Sequence, residues 1–353
     1  MDAADWSLLL PELLHSICTK LTDIADFIRF RAVCKAWRLS VSLSDPSPHL
    51  PWIQIYRQSH KIEDLQFYSL FSNKTHTIDV RHVPELSGAS IIGTTRSSLL
   101  ICKGSEKSLS LLNPLVTNEI SLPLLKREME HPVPDESAVW NPVISSDGQT
   151  MILGLNRSET LSLVVSRPGD GFWTLTKLRA TCGSHVAWTY YNDMYFVCPG
   201  SNKQTMVIDA ITGDVVSTIP DLKMRNNGEV IDYLVESGGK LLRIFINNCR
   251  SRDRLSLDVY VLDVQEKGYR WLEIKDINNH ILFLDISGGF SLTSSEFHGL
   301  RGNCIYFFSH YVKTNDNEER RCLLHRYELV NNSIEILPYP FRGCGRWIVP
   351  SLC

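Results

Sequence analysis

Beginning at residue 97, an apolar run suited to a strand, a polar tip and a further strand pair recur along the chain, and this recurrence limits the fold more than any other feature. The apolar runs are SSLLICK (97–103), TMILGL (150–155), MYFVC (194–198), KLLRIFI (240–246) and CIYFF (304–308). Each is rich in the branched and aromatic residues that suit a pleated surface. The strand pairs behind them include SLLNPLVTNEISLP (110–123), VIDAITGDVVSTIP (207–220) and HRYELVNNSIEILP (325–338). Tips such as Thr212-Gly213-Asp214 and Asn331-Asn332 supply residues that tolerate positive φ, as tight hairpins require. Leu122-Pro123, Ile219-Pro220 and Leu337-Pro338 end three of the units, because proline cannot donate to a further ladder.

The five units start 53, 44, 46 and 64 residues apart, and a sixth, poorer one runs over 67–84. Repeats of roughly 40–50 residues with about four strands each predict a β-propeller, whose radial packing leaves few exposed sheet edges. A sandwich or jelly roll also uses many short strands, but it does not repeat one hairpin at this interval. Six blades are expected, with seven as the alternative. The long interval between 240 and 304 predicts an insertion around 280–302, and Arg346–Val349 is expected to return as a closing strand that ties the ring without a disulfide. Trp140, Trp173, Trp188, Trp271 and Trp347 recur through this region. They fit inter-blade packing better than the anchors of a recognition surface.

The first 42 residues are of another kind. From Leu10, the positions Leu13, Leu14, Ile17, Cys18 and Leu21 follow the i, i+3, i+4, i+7 spacing of one helix face. Pro11 suits a first helical turn, and Glu12 suits the positive end of the helix dipole. Thr22 and Asp23 offer cap oxygens for a second helix carrying Ile24, Phe27 and Ile28. A third face runs through Phe30, Val33, Cys34 and Trp37, with Arg29, Arg31, Lys35 and Arg38 on the other sides as a solvated face. Folds below roughly 40 residues seldom bury enough surface to stand alone, so these helices are expected to need a partner or to dock on the domain behind them. Pro46, Pro48 and Pro51 mark a stiff connection over 43–52, which divides the chain into a helical domain (1–42), a linker and an all-β domain (53–353).

The order Leu10, Pro11, Leu13, Leu14, Ile17, Leu21 and then Arg31, Val33, Cys34, Lys35, Trp37 resembles the F-box. That family's pattern is LPxELL followed by RxVCKxW, and here Pro-Glu-Leu-Leu lacks the intervening residue. The resemblance implies docking onto a Skp-type adaptor and, through it, onto the cullin and RING subunits of a ubiquitin ligase. Carried over by residue, the adaptor contacts are Leu10, Pro11, Leu13, Leu14, Ile17, Leu21, Val33, Cys34 and Trp37, some of which must instead hold the helices together. Six buried Leu or Ile side chains contribute about 9–18 kcal/mol, against an association cost of about 4–15 kcal/mol. Such a stripe therefore suffices without ion pairs. Further on, NPxxTNEIxLP (113–123), EFxGLxGNCIYF (296–307) and WIxPSL (347–352) resemble the kelch-like C-terminal domain of a large plant F-box family. Together the two resemblances imply a substrate-receptor subunit whose propeller captures an unknown protein. An adaptor-binding protein acting outside a ligase, and a ligand-binding or hydrolytic propeller, are the alternatives.

No G-x-S-x-G, H-E-x-x-H, Walker glycine loop or G-x-G-x-x-G follows a strand, so neither an enzyme nor a bound cofactor is expected. Cys182, His185 and Cys198 are three soft ligands without a fourth, and they read as packing rather than a metal site. The ten cysteines contain no C-x-x-C pair and are expected to be small buried apolar groups in a reducing compartment. A net charge of -3 offers no footprint for nucleic acid or a membrane surface. Asp2 and Asp5 stand where a signal peptide has basic residues, and no apolar run approaches the roughly 18 residues of a span. Nucleus or cytoplasm is the expected location, and the sequons at Asn73, Asn156 and Asn331 are then chance matches.

Overall fold

Helices occupy the N-terminus, and from Trp52 onward the chain is built of strands. The computed structural model describes all residues except 1–4, 22, 43–49, 56–61, 63, 82–85, 87–88, 104–107, 117, 124–138, 145–150, 158–159, 167–172, 182–185, 200–203, 221–228, 249–254, 267, 298–299, 314–319 and 352–353. Most of the expected linker, the Cys182 and His185 pair and the Thr22 cap thus lie outside the described residues.

A short 3-10 turn (Trp6–Leu8) precedes α1 (Pro11–Cys18), α2 (Ile24–Ala32) and α3 (Lys35–Leu39). Pro11 takes the first helical position of α1, as expected, and Asp23 caps α2 by accepting from the Ala25 N–H at 2.9 Å. Leu14, Cys18, Phe27, Phe30 and Val41 are buried together, with Leu9, Leu21 and Trp37 packed against them. The helical block thus has a small buried cluster of its own besides docking on the domain behind it. Phe27, Phe30 and the chain's return at Val41 supply the missing apolar surface.

The strands form β1 (Trp52–Gln54), β2 (Asp64–Ser69) and β3 (Lys74–Asp79), then β4 (Ser90–Thr94), β5 (Leu99–Lys103), β6 (Ser108–Asn113) and β7 (Asn118–Ser121). Next come β8 (Val139–Ile144), β9 (Met151–Arg157), β10 (Thr160–Ser166), β11 (Thr174–Thr181), and β12 (Val186–Tyr191), β13 (Met194–Pro199), β14 (Thr205–Asp209), β15 (Val215–Ile219). They are followed by β16 (Glu229–Ser237), β17 (Lys240–Asn248), β18 (Leu255–Gln265) and β19 (Gly268–Ile274). The last are β20 (His280–Asp285), β21 (Gly288–Thr293), β22 (Cys304–Lys313), β23 (Arg320–Glu328), β24 (Ser333–Leu337) and β25 (Arg346–Ile348). Among the described residues these make five sheets of four strands and one of five. The strands β25, β4, β8, β12, β16 and β21 neighbour one another in that order, and β20 lies beside β25. The sheets therefore follow one another around an axis as a β-propeller.

Each recurring apolar run found in the sequence is an interior strand of its sheet: β5, β9, β13, β17 or β22. Where their side chains are described, as in β5, β13 and β17, such strands are buried on both faces, which is why they read as continuous rather than alternating. The apolar clusters sit between consecutive sheets. Leu99 and Ile101 meet Trp52 and Phe67, for example, and Phe196 and Val207 meet Leu234 and Trp271. Trp173, Trp188, Trp271 and Trp347 are all buried in these inter-sheet clusters, in keeping with the packing role. The side chain of Trp140 lies outside the described residues.

The insertion expected over 280–302 is a hairpin, β20–β21, with β20 running parallel to β22. It takes the two innermost places of the last sheet, which accounts for the long interval. β25 then pairs with β1, Ile53 opposite Trp347, so the C-terminus completes the sheet that the N-terminal strands begin. One cysteine expectation is corrected here. Cys322 on β23 and Cys344 ahead of β25 are joined by a disulfide, with Cα atoms 5.2 Å apart. They are 22 residues apart and carry no sequence signature. They meet because the closing segment runs back along β23, where the Cys322 N–H donates to the Arg342 carbonyl at 3.0 Å. Cys18, Cys102, Cys198 and Cys304 are buried as small apolar groups, as expected.

Helical unit and propeller meet at α2. Ile24, fully buried, joins the cluster of Trp52, Leu65, Phe67 and Ile348 on the first sheet. Beside it the Asp23 carboxylate lies 3.4 Å from His76 Nε2 on β3, and that ring stacks on Trp52 at 4.3 Å. Lys74 on the same strand sits 4.0 Å from Asp26.

Candidate functional site

Because an α-helix turns 100° per residue, adjacent leucines on α1 point in different directions. Leu14 and Cys18, four apart, face the small helical core and are 1% exposed. Leu13 and Ile17, also four apart, face outward and are 50% and 41% exposed. Leu10, just ahead of the helix, is 62% exposed and extends that outward line. Pro11 is exposed beside it. Val33, the residue that ends α2, is 59% exposed.

The remaining expected contacts are shared between surface and interior. Leu21 and Cys34 are half-buried. Trp37 is half-buried, tilts against Phe30 with ring centroids 4.6 Å apart, and donates its indole N–H to the Trp6 carbonyl at 3.0 Å. Leu14 is buried outright and cannot touch a partner without the helices opening. Its place in the adaptor-contact set is thereby corrected: it holds the helices together.

Arg31, read from the sequence as part of a solvated face, has a structural role. Its guanidinium donates to the Arg38 carbonyl at 3.2 Å and to the Val41 carbonyl, and it lies over the Phe27 ring. A cation on the last carbonyls of a helix satisfies orphan acceptors and complements the dipole, so Arg31 clasps α2 to the end of α3.

Four exposed apolar residues were not singled out as contacts from the sequence: Trp6, Leu8, Ile28 and Leu39. Trp6 and Leu8 precede the helical period, and Ile28 was placed on the same face as Ile24 and Phe27. In the structure Ile24 and Phe27 are buried whereas Ile28 faces out. These exposed apolar side chains rest on a helical unit that is itself anchored to the propeller.

A buried charged group in the propeller is paired within it. Arg243 is buried on β17, paired with Asp232 at 2.6 Å, and donates to Thr205 Oγ1 at 3.0 Å. The Trp271 indole N–H donates to the same hydroxyl at 2.9 Å. A network of this kind ties β14 to β17 and β19 across two sheets.

Residues 67–329 match the family described as KIB1-4 beta-propeller. A putative F-box/kelch-repeat protein of Arabidopsis thaliana is 22% identical over 383 residues, covering 95% of this chain and 97% of that protein. A putative F-box protein and a further F-box protein of the same plant are each 21% identical, covering 98% of this chain and 97% and 92% of their own lengths. Among solved structures the chain is similar to TolB from Acinetobacter baumannii, with a TM-score of 0.48, 11% identity, and coverage of 90% of this chain and 71% of that one. With residues 67–329 matching that model, the chain belongs to the KIB1-4 beta-propeller family, and the F-box proteins it is similar to match it over nearly its whole length.

Proposed function

We propose that this protein is the substrate-receptor subunit of a Skp-cullin-F-box ubiquitin ligase, acting in the nucleus or cytoplasm. The observation that carries the reading is the outward apolar line of Leu10, Leu13, Ile17 and Val33 on a helical unit that already has its own core. Side chains left outside a satisfied core are available to a partner, and a Skp-type adaptor is the partner that the F-box relatives suggest. Pro11, Leu21, Cys34 and Trp37 form the flanks of that contact. The propeller, read as six-bladed, is the receptor for a protein substrate. Six sheets with inner strands in cyclic order support that count. The chain contributes proximity: it holds a substrate near a ubiquitin thioester carried by another subunit, with no bond-making group of its own.

Co-purification with a Skp-type adaptor tests this. Leu13→Asp combined with Ile17→Asp is expected to lower adaptor capture by at least a hundredfold, on the scale of about 1.5–3 kcal/mol per lost apolar side chain. The thermal midpoint of the propeller is expected to stay unchanged. Undiminished capture by the double variant, or no capture by the intact chain, overturns the reading.

A further inference from the structure

We propose that Cys322 and Cys344 are a redox-controlled latch on the closure of the propeller ring. The ring closes through β25, a strand of three residues paired with β1. So short a ladder is weak, and side chains reinforce it from both flanks. The Trp347 N–H donates to the Asp285 carboxylate, and the Trp347 indole donates to the Leu284 carbonyl at 3.2 Å. On the other side Arg346 reaches the Ile91 and Ile92 carbonyls at 3.3 and 3.4 Å. The disulfide adds a covalent tie from β23 to the residue two places ahead of β25, so it fixes the closing strand against the last sheet while β25 pairs with β1 of the first.

The site accommodates both redox states. A Cα separation of 5.2 Å falls in the range a disulfide spans without moving backbone. The Ser309 carbonyl lies 3.2 Å from Cys322 Sγ and 4.0 Å from Cys344 Sγ, so a reduced thiol has an acceptor ready. Exposure makes the pair asymmetric. Cys322 is 2% exposed, whereas Cys344 is half-buried at the surface. A small thiolate such as glutathione attacks Cys344 Sγ, the S–S bond breaks, and Cys322 leaves as a thiolate that takes up a proton. A second glutathione thiolate then attacks the mixed disulfide at the glutathione sulfur, releasing oxidised glutathione and the Cys344 thiolate. Two thiols are oxidised and one protein disulfide is reduced. Oxidised glutathione runs the same steps in reverse. In a reducing compartment the pair rests as thiols, and oxidation fastens the ring.

The test equilibrates the full-length protein at set ratios of reduced to oxidised glutathione and traps thiols with an alkylating reagent. Mass spectrometry reads the Cys322–Cys344 linked peptide, and hydrogen exchange reads the amides of 346–348. The linked fraction is expected to rise with oxidised glutathione, and exchange in β25 is expected to slow on the order of a hundredfold in the bridged form. Cys344→Ser is expected to exchange at the reduced rate at every ratio. The proposal is overturned by the absence of linked peptide at the most oxidising ratio, by equal exchange in the two wild-type states, or by a Cys344→Ser protein that still responds. The wild-type comparison decides the matter even where the variant folds poorly.

Discussion

Leu13 and Leu14 are neighbours of the same type with opposite duties, and only their angular position on α1 separates them. Leu14→Ala removes buried volume among Cys18, Phe27 and Phe30 and is expected to destabilise the helical unit by about 2–5 kcal/mol. Its effect on adaptor capture should track the unfolded fraction of the helices, whereas the Leu13 and Ile17 substitutions act with the helices intact. Circular dichroism of the helical signal alongside capture separates the two. His325 on β23 carries a second consequence at this scale. It is buried against Phe307 with neither ring nitrogen hydrogen-bonded, and burial pushes its pKa down to about 4. The folded state thus favours the neutral ring. Stability is unaffected above the unfolded value near 6.5, and it declines by roughly 3 kcal/mol as pH falls from there to about 4, because the unfolded chain takes up a proton that the folded one refuses. His325→Phe is expected to flatten the fall in melting temperature between pH 6.5 and 4.5. An unchanged slope assigns that acid sensitivity elsewhere. Asp285 works in the opposite sense: burial raises its pKa to about 6 against the Trp347 and Ser287 N–H donors and Arg346, so its contribution favours the fold at low pH and is lost as pH rises from about 4 through 6.

At the scale of elements, α2 does two jobs. One face closes the helical core through Phe27 and Phe30, and its first turn docks on the propeller through Ile24, with Asp23 set against His76. The capping oxygen and the contact to β3 come from one side chain. Asp23→Ala is therefore expected to cost about 1 kcal/mol in capping and also to loosen the helical unit from the first sheet. Limited proteolysis in the 43–52 segment measures this. Faster cleavage with an unchanged propeller melt is the expected result, and an unchanged cleavage rate shows that Ile24 and the Asp26–Lys74 pair hold the junction without Asp23. A fixed junction has a functional consequence for the proposed receptor: a substrate on the propeller is held at a set direction from the adaptor rather than swinging on a tether.

For the whole molecule, stability is cyclic: each sheet packs on two neighbours, and the last contact is made by β25. Gly345 shows how close that contact is. A Cβ there would collide with the Ile53 side chain and come within 3.0 Å of the Gln54 carbonyl. Removing residues 344–353 is expected to replace one cooperative unfolding transition with two or more, because the first and last sheets lose their shared edge. Calorimetry reads this, and a single unshifted transition in the truncated protein contradicts it.

The interior strands β5, β13, β17 and β22 were plain in the sequence because burial on both faces demands unbroken apolar runs, and β9 shared the same pattern. The inner strands were not: β4 reads SIIGT and β12 reads VAWTYY, with glycine, threonine or serine among the apolar residues. The hairpin β20–β21 was recognised as an insertion but not as the sheet's inner pair. Its parallel pairing to β22 joins residues whose relation no local pattern records. The apolar periodicity from Leu10 to Leu21 was legible from spacing alone, whereas its division into a buried row of Leu14 and Cys18 and an outward row of Leu13 and Ile17 depended on Phe27, Phe30 and Val41 arriving from later in the chain. What the sequence determined by itself is whatever local periodicity encodes: helices first, a repeating sheet unit after, and one apolar stripe beyond what a small core needs. Tertiary structure alone decided which stripe residues face outward, that α2 anchors to the first sheet, and that Cys322 meets Cys344 where the ring closes. Those outcomes depend on contacts between residues far apart in sequence, and such contacts exist only once the chain has come round upon itself.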